Sequence, residues 1–239
     1  MINKIFVKIQ QMYVRRNSRA YIRYLRENGV KIGNNCIIRY PETARIDITR
    51  PSLVTIGDNV DMNMNFQLLT HDWCSRVFRN YYHDFINSSG KVIIGNNIYF
   101  GTNCAVLKGV TIGDNSIIGA YSLVTKDIPA NSVAAGIPCR VICSLDEYYE
   151  RRKKIAFNEA VEYIISINER FGRDPLPTEM REEFIYFVNK NNADEYEDIP
   201  LKSQLGIAYD DWMRTHQSKF RSFGEFVENT KDYDKYTKA

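Results

Sequence analysis

The sequence predicts a mainly β fold, a left-handed parallel β-helix, with an N-terminal helix before it and an α-helical extension after it. Three observations predict this fold: a tetrapeptide that occurs four times, apolar residues that recur every six positions, and the loss of both patterns after residue 129. A period of six matches neither the 3.6-residue turn of a helix nor the two-residue alternation of a strand. It fits a coil with three short sides, each of which turns one aliphatic side chain inward.

The tetrapeptide consists of isoleucine, glycine and two residues that are each Asn or Asp. Its copies begin at Ile32, Ile56, Ile94 and Ile112. Six-residue spacing then continues without a slip through Ile94, Phe100, Val106, Ile112, Ile118 and Val124. Because three hexapeptides make one coil, we expect Ile94 to stack on Ile112, and each later pair to follow the same rule. Each buried aliphatic side chain should contribute about 1.5–3 kcal/mol. Gly, Asn and Asp suit the corners because they accept left-handed backbone angles.

The pattern divides the chain into three segments. Residues 1–29 form a basic amphipathic helical segment, residues 30–143 the β-helix, and residues 144–239 a helical extension. Leu68 and Ile94 are 26 residues apart, eight more than one coil requires. We therefore expect a loop to leave the coil at about residues 70–91.

The extension begins with a helix-start signal. Ser144 and Glu147 have the spacing of a capping box, which predicts a helix over residues 145–170. After a proline-containing break, acidic residues lead into a second predicted helix over residues 179–190. For the remaining residues, 191–239, the sequence predicts only that they form helices and loops.

Composition narrows the functional classes. The net charge of +3 is too small to indicate nucleic-acid binding. The five cysteines form no CxxC pair, which favours a reducing, cytoplasmic compartment. We see no signal peptide and no stretch of about 18 apolar residues that would span a membrane.

The N-terminal segment concentrates positive charge. Residues 1–31 carry eight Lys and Arg residues against Glu27 alone. The apolar residues between them, at roughly helical spacing, are Ile5, Ile9, Met12, Val14, Tyr21 and Leu25. This pattern permits two interpretations: a helix that packs on the domain and exposes its basic face, or peripheral docking on the inner membrane surface.

The predicted loop carries His71, three residues after the inward-facing Leu68. Its backbone should therefore still be anchored on the coil. A general base needs such a fixed position, and an imidazole can accept a proton near neutral pH. His71 is the candidate catalytic base.

Residues 94–142 resemble the hexapeptide-repeat acetyltransferases. The resemblance is carried by the repeats, by Val124-Thr125-Lys126-Asp127-Ile128-Pro129 and by Ala135-Gly136-Ile137-Pro138-Cys139-Arg140-Val141-Ile142. It is closest to the maltose, galactoside and nodulation-factor sugar O-acetyltransferases and to enzymes that modify polysaccharides. It covers about residues 30–143 and does not extend to residues 145–239.

This resemblance implies an activity. The family moves an acetyl group from acetyl-CoA to a sugar hydroxyl, by direct attack and without a metal. A surface polysaccharide or a glycan precursor would be the acceptor, and His71 would deprotonate its hydroxyl. The family also binds CoA between neighbouring subunits, which implies a homotrimer.

The resemblance also implies residues that bind the cofactor. The family's Trp-Ile-Gly-Ser segment corresponds to Tyr99-Phe100-Gly101-Thr102, so the backbone N–H of Thr102 is the candidate oxyanion donor. The predicted cofactor-binding residues are Tyr99, Gly101, Thr102, Gly119, Ala120, Thr125, Lys126 and Arg140. Lys126 and Arg140 would meet the CoA phosphates.

Acceptor binding is predicted from the same coil and from the loop. The family places a polar acceptor-orienting residue one coil below its histidine, but residues 39–55 are too irregular to align it. Asn63 and Asn65 are the candidates in its place. The loop adds Asp72, Arg76 and Arg79.

Other interpretations stay open. One is N-acylation of a nucleotide-linked amino sugar, and another is a non-catalytic trimeric scaffold. A zinc carbonic anhydrase with this fold needs three converging histidines, whereas only His71, His83 and His216 occur here. Cys74 as a thiol nucleophile is not needed for direct transfer.

Overall fold

The computed structural model describes residues 13–231, in which a parallel β-helix is followed by a helical region. Helix α1 (Ser18–Glu27) precedes the β-helix. The strands are β1 (Lys31–Ile32), β2 (Ile37–Ile38), β3 (Arg45–Ile46), β4 (Val54–Ile56), β5 (Val60–Met62), β6 (Gln67–Leu68), β7 (Val92–Ile94), β8 (Ile98–Phe100), β9 (Ala105–Val106), β10 (Thr111–Ile112), β11 (Ser116–Ile118), β12 (Leu123–Val124), β13 (Ser132–Ala135) and β14 (Arg140–Ser144). Helix α2 (Ser75–Tyr81) lies between β6 and β7. The later helices are α3 (Leu145–Phe171), α4 (Leu201–Leu205), α5 (Tyr209–Thr215) and α6 (Phe223–Thr230).

The strands form three sheets, which are the three sides of the coil. Side 1 has the order β1-β4-β7-β10, side 2 the order β2-β5-β8-β11-β13-β14, and side 3 the order β3-β6-β9-β12. All strand pairs are parallel except β13 with β14, which closes the last coil. The left-handed parallel β-helix predicted from the sequence is confirmed.

The predicted stacking of inward residues is also confirmed. Ile94 is in register with Ile112 on side 1. The same eighteen-residue step pairs Phe100 with Ile118 on side 2 and Val106 with Val124 on side 3. All six side chains are buried.

The repeated tetrapeptide forms the corner between sides 1 and 2. Its last residue has φ between +54° and +56° in every copy, at Asn35, Asn59, Asn97 and Asn115. The Asn97 amide donates to the Asn115 amide oxygen at 2.9 Å, which links successive coils. Glycine is required in the tetrapeptide because a Cβ on Gly57 would lie 2.5 Å from the Gly95 carbonyl oxygen.

The irregular stretch at residues 39–55 still completes a coil. Within it, β3 pairs with β6, so that Ile46 lies beside Leu68. The 3₁₀ helix Pro51–Leu53 then leads into β4. This register fixes which residues of the stretch lie next to the loop.

Helix α1 begins at an Asn17 cap, whose side chain accepts a hydrogen bond from the Ala20 N–H at 2.9 Å. It buries Tyr21, Ile22 and Leu25 in the core of the β-helix. The packed-helix interpretation therefore holds for α1. The predicted apolar positions Ile5, Ile9 and Met12 lie outside the described residues.

The chain separates into two compact units after Glu150. The second unit has its own core, rich in aromatic side chains that include Phe184, Phe187 and Phe226. The predicted capping box is confirmed, since the Ser144 N–H donates to the Glu147 carboxylate at 2.8 Å. Helix α3 follows as expected.

The helix predicted over residues 179–190 is wrong. Only the 3₁₀ helix Glu183–Tyr186 forms there. Partners outside the predicted helix occupy two of its carbonyl groups: Asn192 donates to the Phe187 carbonyl at 2.8 Å, and the Phe220 N–H to the Tyr186 carbonyl at 2.9 Å. Tertiary hydrogen bonds therefore replace the helical ones.

Within residues 13–231, no helix combines the length and the apolar character that crossing a membrane requires.

Candidate active site

His71 lies where the loop leaves the corner between sides 3 and 1, three residues after β6. An antiparallel bridge joins His71 to Ser89, on the returning strand of the loop. The Gly90 N–H donates to the Thr70 carbonyl at 2.9 Å, and the Asp72 N–H to the Ser88 carbonyl at 3.2 Å. The two ends of the loop thus form a stem that holds the His71 backbone. The His71 side chain is 30% exposed, which leaves one ring edge accessible.

Asp47 is the direct partner of His71. It lies one residue after β3, in the coil below, and its Oδ2 is 2.7 Å from His71 Nδ1. Asp47 also accepts hydrogen bonds from the Thr49 N–H at 2.9 Å and the Thr49 hydroxyl at 2.6 Å. The Thr70 hydroxyl donates to the same Oδ2. With its side chain only 6% exposed, Asp47 is held in one orientation from several directions.

These contacts fix the charge of Asp47. Burial acts to raise its pKa, but the hydrogen bonds from Thr49, Thr70 and His71 outweigh burial and hold the pKa well below its usual range. An ionised carboxylate can only accept hydrogen bonds, so the proton between the two groups must be on His71 Nδ1. The lone pair is therefore on Nε2. A neutral imidazole in this tautomer is prepared to take a proton.

Asp47 is not among the site residues predicted from the sequence. Asp47 comes directly after Ile46, and Leu69 comes directly after Leu68, so the two residues occupy equivalent positions in successive coils. Only the pairing of β3 with β6 shows this equivalence. Two prolines interrupt the six-residue spacing in that stretch, so the sequence alone does not give the register. The one usable signal is the Asp47-x-Thr49 pattern, which favours a local side-chain turn.

A polar clamp fixes the loop stem from the coil above. The Asp72 carboxylate accepts hydrogen bonds from the Ser88 hydroxyl at 2.8 Å and from the Cys74 N–H at 3.0 Å. Lys108 Nζ, from the next coil, contacts both Asp72 and Ser88. Asp72 is predicted to bind the acceptor, and in the structure its carboxylate is engaged in this clamp. The hydrogen bond from Lys108, followed by those from Cys74 and Ser88, lowers the pKa of Asp72.

The clamp predicts a positioning role for Lys108. Replacing Lys108 with methionine should raise the acceptor KM by about three- to tenfold, because a displaced stem moves the loop relative to His71. The effect should be modest because the pair is partly exposed. Steady-state kinetics with each substrate varied in turn would measure it. Lys108→Arg should restore the acceptor KM, and an unchanged acceptor KM in Lys108→Met would contradict the role.

Arg76 and Arg79 lie on α2, in the part of the loop farthest along the chain from the stem, and both are exposed. Trp73 and Phe85 are exposed in the same loop and contact each other edge to face, with ring centroids 6.2 Å apart. The loop that follows His71 therefore exposes both cations and aromatic surface.

The predicted Tyr99–Thr102 segment lies at a different corner, between sides 2 and 3. Gly101 allows the next coil to approach closely, since a Cβ there would lie 2.5 Å from the Ala120 nitrogen. In the same way, a Cβ on Gly119 would lie 2.8 Å from Ala135 Cβ. The Thr102 N–H donates no hydrogen bond to any described residue.

The other predicted cofactor residues divide between the two corners. Thr125 and Lys126 follow β12 on side 3, above Lys108 and on the same corner as His71. Arg140 starts β14 and pairs with Ala135, at the corner of Thr102. We call the two corners the His71 edge and the Thr102 edge.

The two edges are separated by the full width of side 3. Thr102 and Lys108 are six residues apart on this side, which corresponds to about 20 Å of extended chain. A base and an oxyanion donor must both lie within about 3 Å of the reacting atoms. His71 and Thr102 of one chain therefore cannot act on the same thioester.

Asn63 and Asn65 are not brought to His71. Both lie at the Thr102 edge, where Asn65 has φ of +58° and donates to the Asn103 side chain at 2.7 Å. Asn63 donates to the Tyr99 hydroxyl at 3.3 Å. Their side chains contribute to the corner, and the position below the histidine belongs to Asp47.

The remaining histidines lie elsewhere. His83 is exposed at the far part of the loop. His216, in the second unit, stacks on Trp212 with ring centroids 4.0 Å apart. Among residues 13–231, no group of three or more His, Cys, Asp or Glu side chains could hold a metal ion. Cys74 is half-buried at the start of α2.

Comparisons with known proteins agree with the repeat pattern. Residues 91–126 match the family described as "Bacterial transferase hexapeptide (six repeats)". Galactoside O-acetyltransferase of Escherichia coli K12 is 39% identical over 137 residues, which is 54% of this chain and 62% of that protein. The chain thus spans less than two thirds of that relative. Protein CapG of Staphylococcus aureus is 32% identical over 173 residues, which is 69% of this chain and 95% of CapG.

The chain is also similar in sequence to a protein of solved structure. A galactoside acetyltransferase in complex with coenzyme A is 32% identical, with a TM-score of 0.45, over 60% of this chain and 80% of that chain. The family match at residues 91–126 and the two relatives confirm the resemblance seen in residues 94–142.

Proposed function

This chain belongs to the bacterial hexapeptide-repeat transferases, and we propose that it transfers an acetyl group from acetyl-CoA to a sugar hydroxyl. The observation that carries the proposal is the His71–Asp47 pair, which lies on a rigid coil beside an exposed loop. Several relatives are named acetyltransferases, and galactoside is the acceptor in the name of one of them. The acceptor would be part of a surface polysaccharide or of its precursor.

The proposed reaction is a direct transfer. His71 Nε2 takes the proton from the sugar hydroxyl as its oxygen attacks the thioester carbonyl. The carbonyl oxygen becomes an oxyanion, which a backbone N–H stabilises. The C–S bond then breaks, and the CoA sulfur takes up the proton from Nε2. Asp47 keeps the second ring nitrogen protonated and stabilises the imidazolium that forms in between.

We propose that a complete site needs two copies of the chain in a homotrimer. The separation of the two edges supports this, because the oxyanion donor must come from the Thr102 edge of a neighbour. CoA would then lie between the edges, with Lys126 and Arg140 at its phosphates. Tyr99, Gly101, Gly119, Ala120 and Thr125 would line its path.

Subunit mixing tests the shared site. His71→Ala and Thr102→Pro, which removes the backbone N–H, should each be nearly inactive alone. Co-expressed with different tags, they should form mixed trimers that regain part of the activity, because one interface in each mixed trimer joins two intact edges. Mixed oligomers that stay inactive, or a monomer with full activity, would contradict the shared site. Circular dichroism of each variant checks that it folds.

The acceptor would bind at the loop. Arg76 and Arg79 supply cations for an acidic sugar, and Trp73 supplies a flat aromatic face for a sugar ring. Asp72 would act indirectly, through the clamp.

We place this activity in the cytoplasm, where acetyl-CoA is available, and at the inner membrane surface. The basic residues of segment 1–29 support the second point, since cations are attracted to anionic lipids.

Thiol release from acetyl-CoA with a panel of acceptors tests the activity. The panel should contain free sugars, nucleotide-linked amino sugars and oligosaccharide repeat units. Turnover with a hydroxyl acceptor supports the proposal. Turnover with an amino sugar alone would favour N-acylation. If the protein neither turns over any acceptor nor binds CoA, the scaffold is favoured.

A further inference from the structure

A basic cleft lies between α1 and the turn that joins β1 to β2, with a volume of about 510 Å³. Arg19, Arg23 and Arg26 line it from the helix, and Asn34 and Asn35 line it from the turn. The cleft is at the first coil, on the corner between sides 1 and 2. It is therefore distinct from the His71 edge and the Thr102 edge.

The three arginines share one face of α1 because they are spaced by four and three residues. Each is exposed. No acidic residue is among the described residues that line the cleft. The Asp58 carboxylate accepts a hydrogen bond from the Asn34 N–H at 2.5 Å and so is engaged with the turn.

Within residues 13–231, the side chains of Arg19 and Arg23 have no salt bridge and no hydrogen-bond partner. Two cations four residues apart on one helix face repel each other. A protein surface normally places carboxylates among such cations. Because no carboxylate is among the described residues that line the cleft, the cleft keeps a positive potential that an anion would neutralise.

The cleft is also rigid. Arg26 Nε donates to the Ile32 carbonyl at 3.1 Å, and its Nη2 contacts the Gly33 carbonyl. These bonds tie the end of α1 to the turn. Ile22, which also lines the cleft, is 6% exposed and packs into the core. The guanidinium groups of Arg19 and Arg23 are therefore carried on a fixed backbone.

We propose that this cleft binds a phosphate or diphosphate group. Two guanidinium forks match the oxygen geometry of phosphate, and the side-chain amides of Asn34 and Asn35 supply further donors. The group can belong to a soluble phosphate compound or to an anionic lipid headgroup. The inference is independent of acetyl transfer, because no residue of the cleft belongs to either edge.

Calorimetric titration of the full chain with inorganic pyrophosphate tests the cleft. The titration is run with and without saturating CoA, since CoA would block its own phosphate contacts at Lys126 and Arg140. We expect saturable binding that weakens as salt is added in both cases, and one site per chain when CoA is present. Arg19→Gln/Arg23→Gln should bind at least about tenfold more weakly.

The matched control is Arg170→Gln/Arg181→Gln, which makes the same charge change at exposed positions of the second unit. It should bind pyrophosphate like the wild type. Should the first double variant fail to fold, Arg19→Lys/Arg23→Lys keeps the charge and removes the forks, and should still weaken binding. Equal affinity in the wild type and the cleft variants would overturn the proposal.

Vesicle flotation separates the two sources of the phosphate. The cleft is assigned to a lipid headgroup if the protein binds phosphatidylglycerol vesicles but not phosphatidylcholine vesicles. This binding should be competed by pyrophosphate and lost in Arg19→Gln/Arg23→Gln. Pyrophosphate binding without such vesicle binding assigns it to a soluble ligand. Binding to neither probe would overturn the proposal, whatever the acetyl-transfer assay shows.

Discussion

Replacement of His71 by alanine should lower kcat by about 10²–10⁴-fold, the contribution typical of a positioned general base. The KM for acetyl-CoA should change little, because His71 acts on the acceptor hydroxyl and not on the CoA phosphates. Initial rates of thiol release, with each substrate varied in turn, measure both quantities.

His83→Ala is the matched control, since it removes a second histidine from the same loop without touching Asp47. It should retain nearly full kcat. If His71→Ala kept most of its activity with a hydroxyl acceptor, the assignment of the base would be wrong.

Replacement of Asp47 by asparagine should lower kcat by about 10- to 10³-fold, because the imidazole loses the acceptor that fixes its tautomer. An amide can present its NH₂ group to Nδ1, which would move the proton to Nε2 and abolish the base. Folding should be retained, since asparagine has the same shape.

The lowered pKa of Asp47 also predicts that the stability of the protein decreases at acid pH. Its pKa is lowered in the folded state, so its contribution to stability is present above the pKa of the unfolded chain, about 3.9. The contribution is lost as the pH falls toward the folded-state pKa. The wild type should therefore lose Tm below about pH 4 more steeply than Asp47→Asn.

The control for Asp47 is Asp84→Asn, at an exposed position of the loop. Its kcat and its Tm at low pH should follow the wild type. A wild-type kcat in Asp47→Asn would show that the Nδ1 contact does not matter for catalysis.

The solenoid was predictable because its signal is repeated. The step from Ile94 to Ile112 fixes the coil length, and the asparagines that end each tetrapeptide fix a corner. The second unit offers no repeat. There the Asn192 side chain satisfies the Phe187 carbonyl, a partner that local helix signals do not contain.

The candidate site was predictable only in part from the sequence. His71 follows from the length of the interrupted coil, but Asp47 required the register of β3 against β6. Asn63 and Asn65 share a coil with His71, which predicts that they lie near it, but the coil places them a full side away. Lys108 joins the clamp from a different coil, so its proximity to Asp72 depends on the stacking and not on the sequence distance.

Analysis of the reaction product tests the central claim most directly. The wild-type chain is incubated with acetyl-CoA and the acceptor that gives the fastest thiol release, and the product is examined by mass spectrometry before and after mild alkali. We expect one added acetyl group on the sugar, removed by alkali because it is an ester. An alkali-stable acetyl group would be an amide, and would contradict transfer to a hydroxyl.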